Sequence, residues 1–196
     1  MEKQMTTTNR EDWLTAAVSE MRPFFELAGK PLPTNVRVTC GFPSNAKRSG
    51  AIGECWADTA SADKTFEVLI SPTLDNPLQV FEVLVHELCH STAGAMNHGV
   101  NFQRIAAAMH LVPSIGPKGW KATGRGAEFE PTYGAIISSL GPYPHAALTM
   151  SNRKTQGTRM LKAVCPSCGY TVRLTAKWAD LGLPSCPVDH DTLNLA

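Results

Sequence analysis

The chain has 196 residues, 43% apolar and 18% charged, with a formal net charge of +1; this excludes a disordered chain and suffices for one ordinary domain plus a small appendage. No apolar run approaches the roughly 18 residues that a bilayer requires, so a soluble protein with no membrane partner is expected. Charge is uneven: residues 1–102 carry 8 basic and 12 acidic side chains, a balance of −4, and residues 103–196 carry 10 and 5, a balance of +5. A surplus of that size most often serves solubility and is compatible with a nucleic-acid partner.

The opening MEKQMTTTNREDW lacks the apolar core of a secretory signal, so a reducing, cytoplasmic location is expected. The six cysteines then read as thiols or metal ligands, not as a disulfide framework. From Asn9 a helix is predicted, with Asn9 as cap, acidic residues in the first turn, Trp13, Ala16, Ala17 and Met21 at helical spacing, and an end or break near Pro23. NVRVTCGF (35–42), AIGECWAD (51–58) and KTFEVLISP (64–72) predict three strands, the last two a hairpin. A buried helix follows, capped by Asp75 or Asn76 with Pro77 near its first position and running to Gly94. HGVNFQRIAAAMHLVP predicts another. GPKGWKATGRG (116–126) is too rich in glycine for a regular element, and EPTYGAIISSLGPYPH allows at most one short helix. Residues 141–160 read as a linker on composition, and 161–196 as a small cysteine-bearing module.

The stretch VLVHELCHSTAGAMNHGVNF (83–102) carries the first chemistry. His86 and His90, one helical turn apart, share a face with Val83, Glu87 and Gly94. Two such imidazoles can grip one Zn²⁺, and the neighbouring Glu87 is placed to take a proton from a water on the ion. His98 follows a turn through Gly94 and Asn97 that can bring a third nitrogen to the metal, leaving the open position that a catalytic zinc needs. The bland alternative is a core helix with satisfied polar residues. Against it, Val80, Phe81, Leu84, Val85 and Leu88 surround the helix, and an unpartnered Glu87 there would cost on the order of several kcal/mol.

HELCH, a spacer of seven residues and then HGVNF resemble the SprT-like (Spartan-like) family of zincin-fold metalloproteases. Gly99 and Phe102 match the family's context after the third histidine. The likeness covers residues 10–112 well and 113–150 poorly. It implies an α+β fold: a minimal zincin-like domain at 1–140, with helices packed on a small mixed sheet and substrate laid along the strand bordering the cleft. His86, His90 and His98 would be the catalytic zinc ligands, and Glu87 the general base that also carries the proton to the leaving amine. Cys89 points away from the metal face and reads as a small core residue rather than a regulatory thiol. Tyr133 and Tyr143 are candidates for stabilising an oxyanion.

CPSCG and, after seventeen intervening residues counted from Cys168, CPVDH form two turns with the spacing of a structural zinc site. Such a short module cannot fold on apolar burial alone, whereas structural zinc contributes about 10–16 kcal/mol. A zinc ribbon at 161–196 is expected, as SprT-like proteins commonly carry one. Its ligands are read as Cys165, Cys168, Cys186 and His190, with Asp189 the alternative fourth. Cys40 and Cys55 read as small strand residues, His110 and His145 as structural or solvated, and Trp56, Trp120 and Trp178 as cover residues that could also stack on bases.

The expectation is therefore a zinc endopeptidase with one catalytic and one structural Zn²⁺, acting on a protein or peptide. The resemblance suggests proteins attached to DNA. The alternatives are a non-proteolytic zinc module of transcription or DNA metabolism, which would not need Glu87, and a protease for one dedicated partner without nucleic acid.

Overall fold

The computed structural model describes residues 9–92, 94–150 and 160–196. The chain is mixed α+β and divides into two compact units, Met1–Met150 and Ser151–Ala196.

Helix α1 (Arg10–Leu27) starts as its sequence dictates, with Asn9 Oδ1 accepting from the Asp12 amide at 2.8 Å. It continues through Pro23, where an end is predicted. An interior proline costs about 3 kcal/mol through its missing N–H and the crowding of the preceding turn. The last turn offsets this by burying Phe25 completely and setting Phe24 edge-on to Tyr133 at 5.1 Å, since a buried ring contributes about 1.5–3 kcal/mol.

Strands β1 (Val36–Cys40), β2 (Gly53–Trp56) and β3 (Phe66–Ile70) form a sheet in the order β1-β3-β2, and the short helix α2 (Ala46–Ser49) lies between β1 and β2 in the chain. β2 and β3 pair antiparallel, as the sequence predicts, while β1 joins β3 in parallel. Alternation buries Val38, Cys40, Val68 and Ile70 on one face. β2 is an edge strand, and among the described residues its outer edge has no strand partner.

Helix α3 (Pro77–Ser91) is capped by Asn76, whose Oδ1 accepts from the Gln79 amide at 3.0 Å, with Pro77 where no amide partner is needed. It packs on β2 and β3 and buries Val80, Phe81, Leu84, Val85 and Leu88 completely. Helix α4 (Val100–Ala108) packs on α3. Leu111–Pro113, at the end of the stretch predicted as helix, is instead a strand, β4, and it pairs with β5 (Thr123–Arg125), a strand inside the glycine-rich segment read as irregular. Helix α5 (Phe129–Leu140) has twelve residues and packs on α1 and α3.

Trp13 is central to this core, edge-on to Phe81 at 6.4 Å and to Tyr143 at 5.2 Å, and its indole N–H donates to the Gly141 carbonyl at 3.1 Å. The chain after α5, expected to begin a linker, is fastened here: the Leu148 amide donates to the Pro72 carbonyl at 2.8 Å, and His145 Nε2 bonds the same oxygen at 2.8 Å. Residues 151–159 of the expected linker lie outside the described residues.

In the second unit β6 (Leu161–Val164) pairs antiparallel with β7 (Thr171–Leu174) and β8 (Asn194–Leu195), and one helical turn, α6 (Ala176–Ala179), follows β7. Its buried cluster is Ala163, Cys165, Cys186 and Leu193, too little apolar area to hold a fold by itself. Among the described residues no helix is long and apolar enough to cross a membrane.

Candidate metal centres

Helical geometry sets His86 and His90 on one face of α3, and the turn into α4 returns His98 to them. The Nε2 atom of His98 lies 3.2 Å from that of His90 and 3.3 Å from that of His86. Two nitrogens each about 2.0–2.1 Å from one tetrahedral zinc are about 3.3–3.4 Å apart, close to the two edges that His98 makes, and all three ligand atoms lie within 4.8 Å of one another. The tautomers agree. His90 Nδ1 sits 2.8 Å from the Ala95 carbonyl, which can only accept, so Nδ1 carries the proton and Nε2 presents its lone pair. His86 Nδ1 is 2.7 Å from Thr123 Oγ1. Burial, then the neighbouring His90 and His98, take His86 down to about 3; burial takes His90 down to about 4; burial and then Lys121 lower His98. All three imidazoles are thereby neutral near pH 7, the state in which they bind a metal. Phe102 walls the cluster, stacked on His90 at 4.3 Å and edge-on to His86 at 4.9 Å and His98 at 4.8 Å.

These histidines open on a cleft of about 610 Å³ whose lining includes Gly53, Glu54, Cys55, Val83, Glu87 and Lys121. Glu87 is 6% exposed, and among the described residues no hydrogen bond reaches its carboxylate. Burial, with the charge of Glu54 adding, pushes its carboxyl up to about 8. The backbone of β2 presses against this group: a Cβ at Gly53 would lie 2.4 Å from Glu87 Oε1 and 2.7 Å from Val83 Cγ1. Any larger residue there would force Glu87, Val83 or the strand itself to shift. The sequence reading missed Gly53 because a glycine in a short strand looks like a weakness until its cross-layer neighbour is known.

In the second unit the fourth residue beside the cysteines is Asp189, not His190. Cys168 and Cys186 sulfurs are 3.5 Å apart, and Asp189 Oδ2 lies 3.4 Å from Cys165 Sγ and 3.6 Å from Cys186 Sγ. Around one tetrahedral zinc the expected edges are about 3.8 Å between sulfurs and about 3.6 Å from sulfur to carboxylate oxygen. The two turns are built alike, which is why Asp189 and not His190 faces the cysteines. In each, the residue three after the first cysteine aims at the common centre: Cys168 in one, Asp189 in the other. The next residue closes the turn in the left-handed region, Gly169 at φ 76° donating its amide to Cys165 O at 3.1 Å and His190 at φ 62° donating to Cys186 O at 3.0 Å. His190 thus holds the glycine position and its side chain is exposed. Burial alone would raise the Cys186 thiol, but the amides of Asp189 and Val188 together with the Cys168 and Cys165 side chains bring it down, toward the thiolate that binds metal.

Both groups, His86–His90–His98 and Cys165–Cys168–Cys186–Asp189, could hold a metal ion. Neither tyrosine considered for oxyanion stabilisation lines the cleft: Tyr133 is fully buried with its hydroxyl on Met109 Sδ at 3.7 Å, and Tyr143 is buried beside Trp13. Cys89 is a core residue, fully buried, whereas Cys55 lines the cleft with its thiol pushed up to about 12, by burial first and then by the charge of Glu87. Comparison with known proteins finds no matching family model, no matching curated protein and no matching solved structure.

Proposed function

We propose that the chain is a zinc-dependent endopeptidase of the SprT-like type, a minimal zincin with a C-terminal zinc ribbon. The observation that carries this reading is the convergence of three imidazoles, His98 Nε2 lying within 3.3 Å of Nε2 of both His86 and His90, beside a buried carboxylate, Glu87, in one open cleft. A scaffold would need the histidines but not the carboxylate. When bound, zinc supplies a Lewis acid that polarises a carbonyl and acidifies a water molecule.

The chain's own groups do the rest. Glu87 takes the proton as the water oxygen bonds to the peptide carbonyl carbon, then delivers it to the amide nitrogen as the C–N bond breaks. The free edge of β2 borders the cleft, and an extended peptide can add to it as a further strand, its backbone hydrogen-bonded to Ile52–Cys55. Asp189 in place of a fourth cysteine keeps the ribbon's ligand set complete in number and charge.

Proteins attached to DNA are the substrate class that the SprT resemblance suggests, and the balance of +5 over residues 103–196 is in keeping with it. The deciding variant is Glu87→Gln. It is expected to retain the metal content of the wild type, measured by elemental analysis, and to lower proteolysis of an unfolded protein substrate by about 10²–10⁴-fold; undiminished cleavage overturns the mechanism. In the same assay DNA is expected to stimulate the wild type and high salt to remove the stimulation. A rate indifferent to DNA leaves a protease with a dedicated protein partner.

A further inference from the structure

We infer that Thr123 is a positioning residue for His86, holding that imidazole in the tautomer and rotation that aim Nε2 at the metal centre. The inference rests on the metal-site reading of the three histidines and adds a function for the glycine-rich segment, to which the motif assigns none. Its basis is the 2.7 Å contact between His86 Nδ1 and Thr123 Oγ1. Because Nε2 of His86 is the nitrogen that faces His98, Nδ1 is the one left to donate, and the threonine oxygen accepts.

The contact belongs to a docking of β5 along α3 at two successive positions. Thr123 and Arg125 are two residues apart and project from the same face of a strand, about 6.7 Å apart. Glu82 and His86 are four apart and stand one above the other on the helix, about 6 Å apart. The spacings match, and both pairs form: Thr123 with His86, and Arg125 Nη1 with Glu82 Oε2 at 2.9 Å. β5 is held in turn by its pairing to β4, Leu111 with Arg125 and Pro113 with Thr123, and by the Gly126 amide donating to the His110 carbonyl at 2.8 Å. Leu111 is anchored in the core, so the hydroxyl is presented from a fixed element rather than from a free loop. His90 is oriented by a carbonyl of its own following turn, Ala95. His86, in mid-helix, has no such local partner, and a strand 37 positions away supplies one.

Outer partners of metal-bound histidines are worth about 10–100-fold in metal affinity. The test is zinc affinity of the full chain by competition with a chelator, on wild type, Thr123→Val, Thr123→Ser and His86→Ala. The His86→Ala variant identifies which of the bound zincs belongs to the histidines. Thr123→Val keeps the shape of the side chain and removes the hydroxyl; the histidine-site affinity is expected to fall about 10–100-fold, with the cysteine-site zinc unchanged. Thr123→Ser, which retains the hydroxyl, is expected to restore affinity to near the wild-type value, and the visible spectrum of the cobalt-loaded protein should shift in the valine variant but not in the serine one. Wild-type affinity in Thr123→Val overturns the inference while leaving the metal site standing. Unchanged metal content in His86→Ala overturns the metal-site reading itself, and the inference with it.

Discussion

At Gly53 the lack of a side chain is what lets the strand lie against the cleft without a steric conflict. The neighbouring atoms are a carboxylate oxygen and a methyl group of a fully packed helix, at 2.4 and 2.7 Å from where a Cβ would stand. Gly53→Ala must displace either β2 or the Glu87 carboxylate, and overpacking of this kind costs about 1–3 kcal/mol. The expected outcome is a lower denaturation midpoint together with weaker proteolysis, because the displaced group is the proposed base. Gly134, inside α5 with nothing within 4 Å of its Cβ position, is the contrasting case. Alanine there is expected to raise stability by about 0.5–1 kcal/mol, measured by the same denaturant titration, without touching activity.

At the scale of the element, the two cysteine turns of the second unit show how backbone conformation selects a ligand. His190 is chemically the better zinc ligand for a sulfur-rich site, yet it occupies the residue that must turn left-handed and donate its amide back to Cys186. Asp189, one residue earlier, points where Cys168 points. Asp189→Ala is therefore expected to weaken or abolish the second zinc, read by metal stoichiometry after dialysis. His190→Gly is expected to retain it and to stabilise the turn by about 1 kcal/mol, since a non-glycine residue at positive φ carries a penalty of that order. Loss of the zinc in His190→Gly with retention in Asp189→Ala would reverse the assignment. The same logic explains α1: a helix tolerates Pro23 because the turn beyond it has two aromatic rings to bury.

For the molecule as a whole, the two units differ in what holds them. The first has a continuous core running from Trp13 and Phe25 through Phe81 and Leu84 to Phe129 and Tyr133, and its histidine cluster lies at the edge of that core. Among its described residues the second has four buried side chains, two of them candidate ligands. Metal removal should separate them. On the proposed two-zinc chain, a strong chelator is expected to unfold residues 160–196 and leave 9–150 folded, seen as collapse of amide chemical-shift dispersion for the second set alone. His98→Ala and Cys168→Ala should each reduce two zincs to one, the first without loss of structure and the second with loss of the small unit. One zinc in the wild type would refute the two-site arrangement.

The local part of this design was legible in the residue order. The i and i+4 spacing of His86 and His90 on an apolar helix, Asn9 as one cap and Asp75 or Asn76 as the other, the β2–β3 hairpin and the paired cysteine turns all follow from interactions spanning a few residues, which short-range geometry constrains tightly. Composition was the poorer guide. It hid a strand at 123–125 within the glycine-rich stretch 116–126 and a fastened segment behind prolines at 141–148, because a residue's intrinsic preference yields when packing supplies more than it withholds. Tertiary structure alone decided the approach of Gly53 to Glu87, the reach of Thr123 to His86, and Asp189 over His190. Each depends on where a backbone stands relative to a distant or differently turned one, and that position is set by the packing of the whole unit or by a single dihedral angle, neither of which a motif contains.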